Sequence, residues 1–277
     1  MPDLIVQNHT FDVVECGEKE PSVLLIHSTG LGARQWKSLT QRLSPRRCFA
    51  PNLLGYSPSD SWKGREPIDW EIDFVACRQL LLQLPPPVDL VGHSYGGFIA
   101  MRLALEHPEH VRRIALHEPT AWGCLFDSGD EALQAAMTAI MEKLVNPGPS
   151  ATPEQWLEMF VDFWNAPGVW AAMPKARQAV WIHLFPKVFA EVRQLCMDRT
   201  PLSVWQAVCH PTLITMGRAS PPGEQEVCRL LADQLPRCTL VETNGGHLAP
   251  LTHPASVLPN MQKWLLDTLS PTDHPKV

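Results

Sequence analysis

The sequence lacks the features that mark several large classes of protein. Its eight cysteines include no C-x-x-C pair and are scattered along the chain, mostly inside apolar segments. We therefore expect reduced thiols, as in the cytoplasm, and neither a disulfide framework nor a cysteine metal site. No apolar run approaches the roughly 18 residues that a membrane span needs. The first residues also lack the charged and apolar regions of a signal peptide.

The chain has no excess of basic residues either. Its formal net charge is −6 at pH 7, which leaves no basic footprint for a nucleic acid. It shows no internal repeat at the spacing of a solenoid. With 277 residues, 45% of them hydrophobic, it can bury a full core as one large domain or as a core with an insertion. We expect a globular, cytoplasmic protein without a nucleic-acid or membrane partner.

Short apolar runs alternate with segments of helical periodicity at both ends of the chain. Val23–Ile26 is a continuous aliphatic run, as in strands that are covered on both faces. An N-terminal hairpin and further strands are predicted at Leu4–Val6, Phe11–Val14, Cys48–Ala50, Val88–Val91, Arg113–Leu116, Thr212–Met216 and Thr239–Val241. Helices are predicted at Ala33–Leu43, Trp70–Leu84, Gly97–Leu105, Glu224–Leu235 and Ala255–Leu269. This order predicts an α/β protein with a mostly parallel sheet flanked by helices.

The alternation stops between about residues 120 and 208. This stretch contains no strand-like run, and it holds six of the ten tryptophans, five of the nine phenylalanines and five of the nine methionines. Its predicted helices are Leu133–Leu144, Glu154–Trp164, Lys175–Leu184 and Val188–Met197. We therefore predict a core of residues 1–119 and 209–270, a helical cap of residues 120–208, and a loose C-terminal tail of residues 271–277.

One serine stands at a predicted strand-to-helix turn. It is the centre of Gly92-His93-Ser94-Tyr95-Gly96, between a short apolar strand and a helix that begins with small residues. This is the arrangement of a G-x-S-x-G nucleophile elbow, whose glycines let the backbone turn tightly and point the serine oxygen into a cleft. Ser94 is therefore predicted to be a catalytic nucleophile.

A serine hydroxyl needs a base to take its proton, and the base needs an acid to orient it. His247 is the leading candidate for the base, because it follows the last predicted strand on a Gly-Gly turn and comes after the serine in chain order. His93 stands beside the serine and should point the opposite way. His253 precedes a proline at a helix start, and His183 falls in the cap, so both rank lower.

Together these motifs resemble the α/β-hydrolase superfamily over nearly the whole chain. The resemblance includes His27-Ser28-Thr29-Gly30 after a strand, the elbow, and Gly245-Gly246-His247. In that family, the turn after the strand and the residue after the nucleophile supply backbone N–H groups to an oxyanion hole. The resemblance implies that Thr29 and Tyr95 are these donors here. Ser28 departs from the family's His-Gly pattern, and it either crowds the turn or adds a hydroxyl donor.

The acid departs further from the family pattern. Family members carry Asp or Glu a few residues past the strand that ends here at Gly217, where this chain has Ser220. A serine cannot hold a negative charge beside an imidazolium. Glu118, at the end of the strand after the nucleophile helix, is therefore predicted to be the acid, in a placement similar to that of the haloalkane dehalogenase branch. Glu224 is the second candidate.

The cap carries aromatic side chains that can line an apolar pocket, because helical insertions form lids over the nucleophile in the resembling enzymes. The predicted substrate-binding residues are Trp122, Trp164 and Trp170, with Phe126, Phe160 and Trp181 as further candidates. Any one of them can instead serve the cap's own core. As a set, they favour a bulky, hydrophobic acyl or alcohol group.

The main functional hypothesis is hydrolysis of a carboxylic ester or lactone, macrocyclic lactones included, through an acyl-enzyme on Ser94. No metal or organic cofactor is implied, the partner is a small hydrophobic molecule, and a monomer or homodimer is expected. One alternative is C–C bond hydrolysis of an anionic dienoate or β-diketone, which a pocket cation would favour, with Arg102, Arg177 and Arg193 available. Another alternative is a ligand receptor that keeps the triad without turnover.

Overall fold

The computed structural model describes residues 4–61 and 70–267. In chain order its strands are β1 (Leu4–Val6), β2 (His9–Phe11), β3 (Val13–Cys16), β4 (Lys19–Ile26), β5 (Arg46–Pro51), β6 (Val88–His93), β7 (Val111–His117), β8 (Thr212–Gly217) and β9 (Cys238–Thr243). Seven of them form one sheet in the order β3-β5-β4-β6-β7-β8-β9. All pairs in it are parallel except β3 with β5 at one edge. The predicted α/β fold is confirmed.

The N-terminal hairpin is separate from this sheet. Residues 11–14 are predicted as one strand, but they divide between two partners. Phe11 pairs with Leu4 in the hairpin of β1 and β2, whereas Val13 pairs with Pro51 in the large sheet. The chain therefore passes from one sheet to the other at Asp12.

The central strands are apolar along their whole length because both faces are covered. Successive side chains of a strand point to opposite faces. Leu24 and Ile26 of β4 accordingly pack into one apolar cluster, and Val23 and Leu25 pack into another. This arrangement explains the continuous aliphatic run at Val23–Ile26.

The described residues form eleven α-helices, some of which cover the sheet while others pack on one another in the cap. They are α1 (Lys37–Leu43), α2 (Trp70–Gln83), α3 (Tyr95–Glu106), α4 (Glu131–Val145), α5 (Pro153–Trp164), α6 (Val169–Ala172), α7 (Lys175–Met197), α8 (Leu202–Trp205), α9 (Pro222–Gln234), α10 (Ala249–Thr252) and α11 (Pro254–Leu266). None of these described helices is both long and apolar enough to cross a membrane. The last helix ends before the predicted Leu269, and the predicted tail 271–277 lies outside the described residues.

Residues 120–208 hold α4 to α8 and form no strand. The predicted interruption between Leu184 and Val188 is wrong, because α7 runs unbroken from Lys175 to Met197 with Pro186 inside it. A proline in a helix interior costs about 3 kcal/mol. The buried side chains that follow it, at Lys187 and Val188, keep the second half of α7 packed and offset that cost.

Candidate active site

Ser94 lies at the sharp turn between β6 and α3. Its backbone has φ 56° and ψ −120°, a conformation that costs a non-glycine residue about 1–3 kcal/mol. The turn is held because Ser94 N–H donates to the carbonyl of His117 over 3.0 Å. The motif's glycines allow the approach: a Cβ on Gly96 would lie 2.2 Å from the carbonyl oxygen of Ile26, and one on Gly92 would lie 2.6 Å from that of Gly96.

The fold brings the three predicted triad residues into one hydrogen-bonded row. His247 Nε2 is 2.9 Å from Ser94 Oγ, and His247 Nδ1 is 2.7 Å from Glu118 Oε2. These residues follow β6, β9 and β7, whose carboxyl ends meet at the same edge of the parallel sheet. A carboxylate only accepts, so Nδ1 carries the proton and Nε2 presents its lone pair to the serine hydroxyl.

The Glu118 carboxylate is fully buried and satisfied on its second oxygen as well. Gly217 N–H and the Ser220 hydroxyl each donate to Oε1 over 2.6 Å. Burial alone would raise the pKa of Glu118, but interactions with His117, His247 and Ser220 outweigh it and lower that pKa to about 2. The serine at the family's usual acid position thus donates to the carboxylate that replaces the usual acid.

Glu224, the second candidate acid, is bonded elsewhere. It is fully buried, and its Oε2 accepts a hydrogen bond from Trp122 Nε1 over 2.9 Å. Burial, with the charge of Glu118 as a lesser cause, raises the pKa of Glu224 well above its usual range and so disfavours its charged form. The structure therefore pairs His247 with Glu118 and not with Glu224.

Thr120 is a site residue that the sequence reasoning missed. Its hydroxyl is buried and lies 3.1 Å from Ser94 Oγ. Since the Ser94 hydroxyl donates to His247, the Thr120 hydroxyl is the donor in this contact. Such a bond orients the Ser94 oxygen beside the base. No sequence motif marks a threonine two residues past the acid, so only the fold reveals it.

The turn after β4 has one backbone N–H group that is available to the predicted oxyanion hole. Ser28 N–H donates to Gln35 Oε1 over 3.0 Å, and Gly30 N–H donates to the Tyr56 hydroxyl over 2.8 Å. Among the described hydrogen bonds none uses the N–H of Thr29, which stands between them. The two neighbours are thus fixed, and Thr29 N–H is the group that this turn can offer to a ligand.

Tyr95, the other predicted donor, is the first residue of α3. The N–H groups of a helix's first turn have no acceptor within the helix, and its dipole favours negative charge there. The Tyr95 side chain is fully buried and donates to Asp73 over 3.0 Å. Its ring is therefore anchored in the core, while its N–H adjoins the nucleophile.

Aromatic rings of the cap cover the site. The Trp164 indole stacks on the His247 imidazole, with ring centres 3.7 Å apart and planes 20° apart. Trp181 lies against the turn after β4 that carries Ser28, Thr29 and Gly30, which we call the oxyanion turn. A Cβ on Gly30 would be 2.3 Å from the indole of Trp181. Ser94 and His247 are consequently only 4% and 3% exposed. The cap thus covers the site in the described structure.

The other predicted cap residues differ in how near they come. Phe160 lies between Trp164 and Trp181, at 6.4 and 6.3 Å between ring centres. Trp122 is one layer further out, stacked on Trp164 at 5.7 Å. Trp170 is buried within the cap, with no described ring contact to the triad, and Phe126 is 41% exposed. The structure thus brings Trp164 to the triad and leaves Trp170 and Phe126 away from it.

The three arginines that the sequence makes available as pocket cations differ in their surroundings. Arg102 pairs with Asp198 at 3.6 Å, Arg177 is exposed and Arg193 is half-buried. Lys187 of α7, which follows a proline and reads as a surface residue, is instead buried between cap and core. Its ammonium group is 2.5 Å from Asp73 Oδ2 and 3.2 Å from Glu191 Oε1.

This buried ion cluster is connected to the oxyanion turn. Glu191 accepts a hydrogen bond from the Tyr56 hydroxyl over 2.8 Å, and Tyr56 in turn accepts the N–H of Gly30. Burial opposes the charge of Lys187, but the carboxylates of Asp73 and Glu191 outweigh it and raise its pKa. The cation is therefore already neutralised by the protein, and the cluster ties the cap to the core.

The fold and the site together define an α/β-hydrolase: a serine, a histidine and a carboxylate at the carboxyl edge of a mostly parallel sheet, beneath helices. The sequence matches the alpha/beta hydrolase family over residues 23–259. The chain belongs to that family and is a hydrolase.

Relatives of known activity divide by how much of the chain they match. A 2-hydroxymuconate semialdehyde hydrolase of Pseudomonas sp. is 25% identical over 84% of this chain and 82% of its own. Lipase LipV of Mycobacterium tuberculosis is 37% identical, but over 35% of this chain and 36% of its own. Among solved structures, a meta-cleavage product hydrolase from Pseudomonas fluorescens superimposes with a TM-score of 0.68 at 18% identity, covering 96% of this chain and 97% of its own.

Proposed function

We propose that this hydrolase cleaves a carbon–carbon bond beside a ketone, in a dienoate or β-diketone substrate, by acyl transfer to Ser94. The site geometry supports acyl transfer, and the observation that favours a carbon–carbon bond is the relative that matches 84% of the chain. Ester or lactone hydrolysis, the main hypothesis from the sequence, ranks second, because the lipase relative matches about a third of the chain.

The first step forms the acyl bond to the enzyme. Ser94 Oγ attacks the ketone carbon while its proton passes to His247 Nε2, 2.9 Å away. The carbonyl oxygen becomes an oxyanion between the N–H groups of Thr29 and Tyr95, and such a donor is worth about 3–4 kcal/mol in comparable sites. Glu118, charged and fixed by three hydrogen bonds, stabilises the imidazolium.

The second step breaks the carbon–carbon bond. In a β-diketone the carbon next to the ketone is already saturated, and in a dienoate the enol first tautomerises to its keto form, which moves a proton to that carbon. The electron pair of the bond then moves to this carbon and spreads into the adjoining conjugated carbonyl as an enolate, while the oxyanion re-forms its C=O bond. The enolate accepts the proton from His247. Water then loses a proton to His247 and adds to the acyl group. The Ser94–acyl bond breaks, Ser94 Oγ regains a proton, and a carboxylic acid leaves.

The cap suits this chemistry. The indole of Trp164 covers the imidazole face, Phe160 meets Trp164 edge-on, and Trp181 lies tilted against Phe160, so aromatic rings cover the site. Binding sites lined by aromatic rings accept planar, conjugated ligands, and a closed cap shields an enolate from bulk water.

Hydrolysis of an uncharged ester is the second candidate function, and one observation favours it. Lys187 is a buried cation that is linked to the oxyanion turn through Glu191 and Tyr56, and both Asp73 and Glu191 already neutralise it. It is therefore not a spare receptor for a substrate carboxylate. An ester needs no such receptor, and the same triad would expel an alcohol in place of the enolate.

A substrate panel distinguishes these functions. We would compare a coloured dienoate ketone, a β-diketone, aryl esters of rising acyl size and a lactone, each with wild type and Ser94→Ala. The proposal predicts turnover of a carbon–carbon substrate with kcat/KM above that of every ester, and loss of that turnover in Ser94→Ala. Turnover of esters or lactones alone would replace it with the second function. Release of one product equivalent per chain, without turnover, would indicate a receptor.

A further inference from the structure

A row of buried hydrogen bonds joins the oxyanion turn to the loop that carries the base. Ser28 N–H donates to Gln35 Oε1 over 3.0 Å. Gln35 Nε2 is 2.9 Å from His93 Nδ1, and His93 Nε2 is 2.8 Å from the carbonyl oxygen of His247. Gln35 is 8% exposed and His93 is fully buried, so the row is shielded from solvent.

The direction of every bond in this row is fixed by its first member. Because Gln35 Oε1 accepts from Ser28, the amide nitrogen is the group that faces His93, and it donates to Nδ1. His93 must then carry its proton on Nε2, from which it donates to the His247 carbonyl. Burial, together with the neighbouring His247, His117 and His27, lowers the pKa of His93 well below its usual range. The ring is therefore neutral, as a link that both accepts and donates must be.

We infer that Gln35 and His93 are positioning residues that hold the imidazole of His247 and the oxyanion turn at a fixed spacing across Ser94. The inference rests on the acyl transfer proposed above, though not on its substrate. The turn follows β4 and the base follows β9, and these strands are separated in the sheet by β6, β7 and β8. The row of hydrogen bonds connects the turn after β4 with the loop after β9, and its middle member, His93, directly precedes Ser94 in the chain.

Such a link matters because acyl transfer is sensitive to small displacements. A shift of about 1 Å at a reacting group can slow a reaction about a hundredfold. If the row is broken, the base and the oxyanion donors can drift independently. The loss should therefore appear in the rate of Ser94 acylation more than in the affinity for a ligand.

The first test compares two buried glutamines. Gln35→Met keeps the length of the side chain and removes both hydrogen bonds. Gln178→Met is the matched control, since Gln178 is also buried, at 6% exposure, and uses both amide atoms within the cap. We would measure the rate at which a fluorophosphonate labels Ser94, with unfolding in urea alongside. We expect Gln35→Met to label about tenfold to a hundredfold more slowly and Gln178→Met to label at the wild-type rate.

The second test uses Gln35→Glu, which turns a donor into an acceptor. Its carboxylate can still accept from Ser28, but it faces the lone pair of His93 Nδ1. A proton taken up by His93 restores both links, because an imidazolium donates from both nitrogens. The ionisable groups that face His93 are His27, His117 and His247. The labelling rate of Gln35→Glu relative to wild type should therefore rise as the pH falls from 8 to 6.

The possible outcomes distinguish a failure of the proposed acyl transfer from a failure of the positioning role. Ser94 left unlabelled in wild type would overturn both the acyl transfer and this inference. Normal labelling of wild type with an unchanged rate in Gln35→Met would overturn the positioning role alone. Should Gln35→Met fail to fold, Gln35→Glu decides: a ratio that does not change with pH marks a purely structural row, and a ratio that rises supports the inference.

Discussion

At the triad itself, the core side and the cap side make different kinds of contact. On the core side, directed hydrogen bonds of 2.6–3.1 Å fix Ser94, His247, Glu118 and Thr120. On the cap side, aromatic rings lie at 3.7–6.4 Å between centres and make no described hydrogen bond to the triad. Hydrogen bonds specify position and direction, whereas ring packing tolerates displacement. Reaction should therefore depend on the core, and selectivity should depend on the cap.

The largest difference in kcat between changes on the core side and changes on the cap side should come from removing the nucleophile. Ser94→Ala removes the attacking oxygen and alters no buried apolar contact, so the fold should survive. We expect kcat to fall by about ten-thousand-fold or more, as in other serine hydrolases that lose a triad member. Turnover and urea unfolding, measured on the same preparation, check this. Substantial remaining turnover would assign the nucleophile to another residue.

The core's buried histidines predict an acid-sensitive fold. Burial lowers the pKa of His117 from 6.5 to about 4. The unfolded chain therefore binds this proton more readily, and stability is lost as the pH falls from 6.5 to 4. For this fully buried group the loss is about 3 kcal/mol. His117→Gln should lose correspondingly less free energy of unfolding over that range in urea titrations.

The cap supplies the control for this pH effect. His183 of α7 is exposed. His183→Gln makes the same substitution at a surface position and shows what the change from histidine to glutamine does by itself. An identical dependence in wild type and in His117→Gln would show that His117 binds its proton equally well in the folded and the unfolded chain.

A substitution on the cap side is expected to have a smaller effect on kcat. Trp164 and Trp156 are both buried on α5, but only Trp164 stacks on His247. A cation over an aromatic face gains about 1 kcal/mol. Trp164→Leu should therefore lower kcat about fivefold and change the preference among substrates, whereas Trp156→Leu should affect stability alone. Equal effects of the two on kcat would mean that the stack has no part in the reaction.

The core side was predictable because its residues stand in local motifs. The elbow requires glycines beside Ser94, and their close backbone approaches show why. Glu118 was found from its place at a strand end. The contact of Thr120 with Ser94 and the contacts of His93 with Gln35 and His247 are not predictable in this way, because these partners lie 26 to 154 positions apart in sequence. Only packing brings such groups together.

The cap side was less predictable, for a different physical reason. Aromatic residues at helical spacing fill a core and line a pocket equally well. The sequence therefore does not show that Trp122 donates a hydrogen bond to Glu224 or that Trp164 stacks on His247. Similarly, Lys187 reads as a surface lysine until Asp73 and Glu191 are seen on either side of it.

The central claim is that Glu118, His247 and Ser94 act as one unit. It is tested most directly by the rate at which a fluorophosphonate labels Ser94 in Glu118→Gln and in Glu224→Gln. Glu118→Gln loses the charge that orients His247, and we expect labelling about a thousandfold to ten-thousand-fold slower. Glu224 is bonded to Trp122 and not to His247, and glutamine keeps an acceptor for Trp122, so Glu224→Gln should label at close to the wild-type rate. The opposite order, with Glu224→Gln slow and Glu118→Gln normal, would contradict the account.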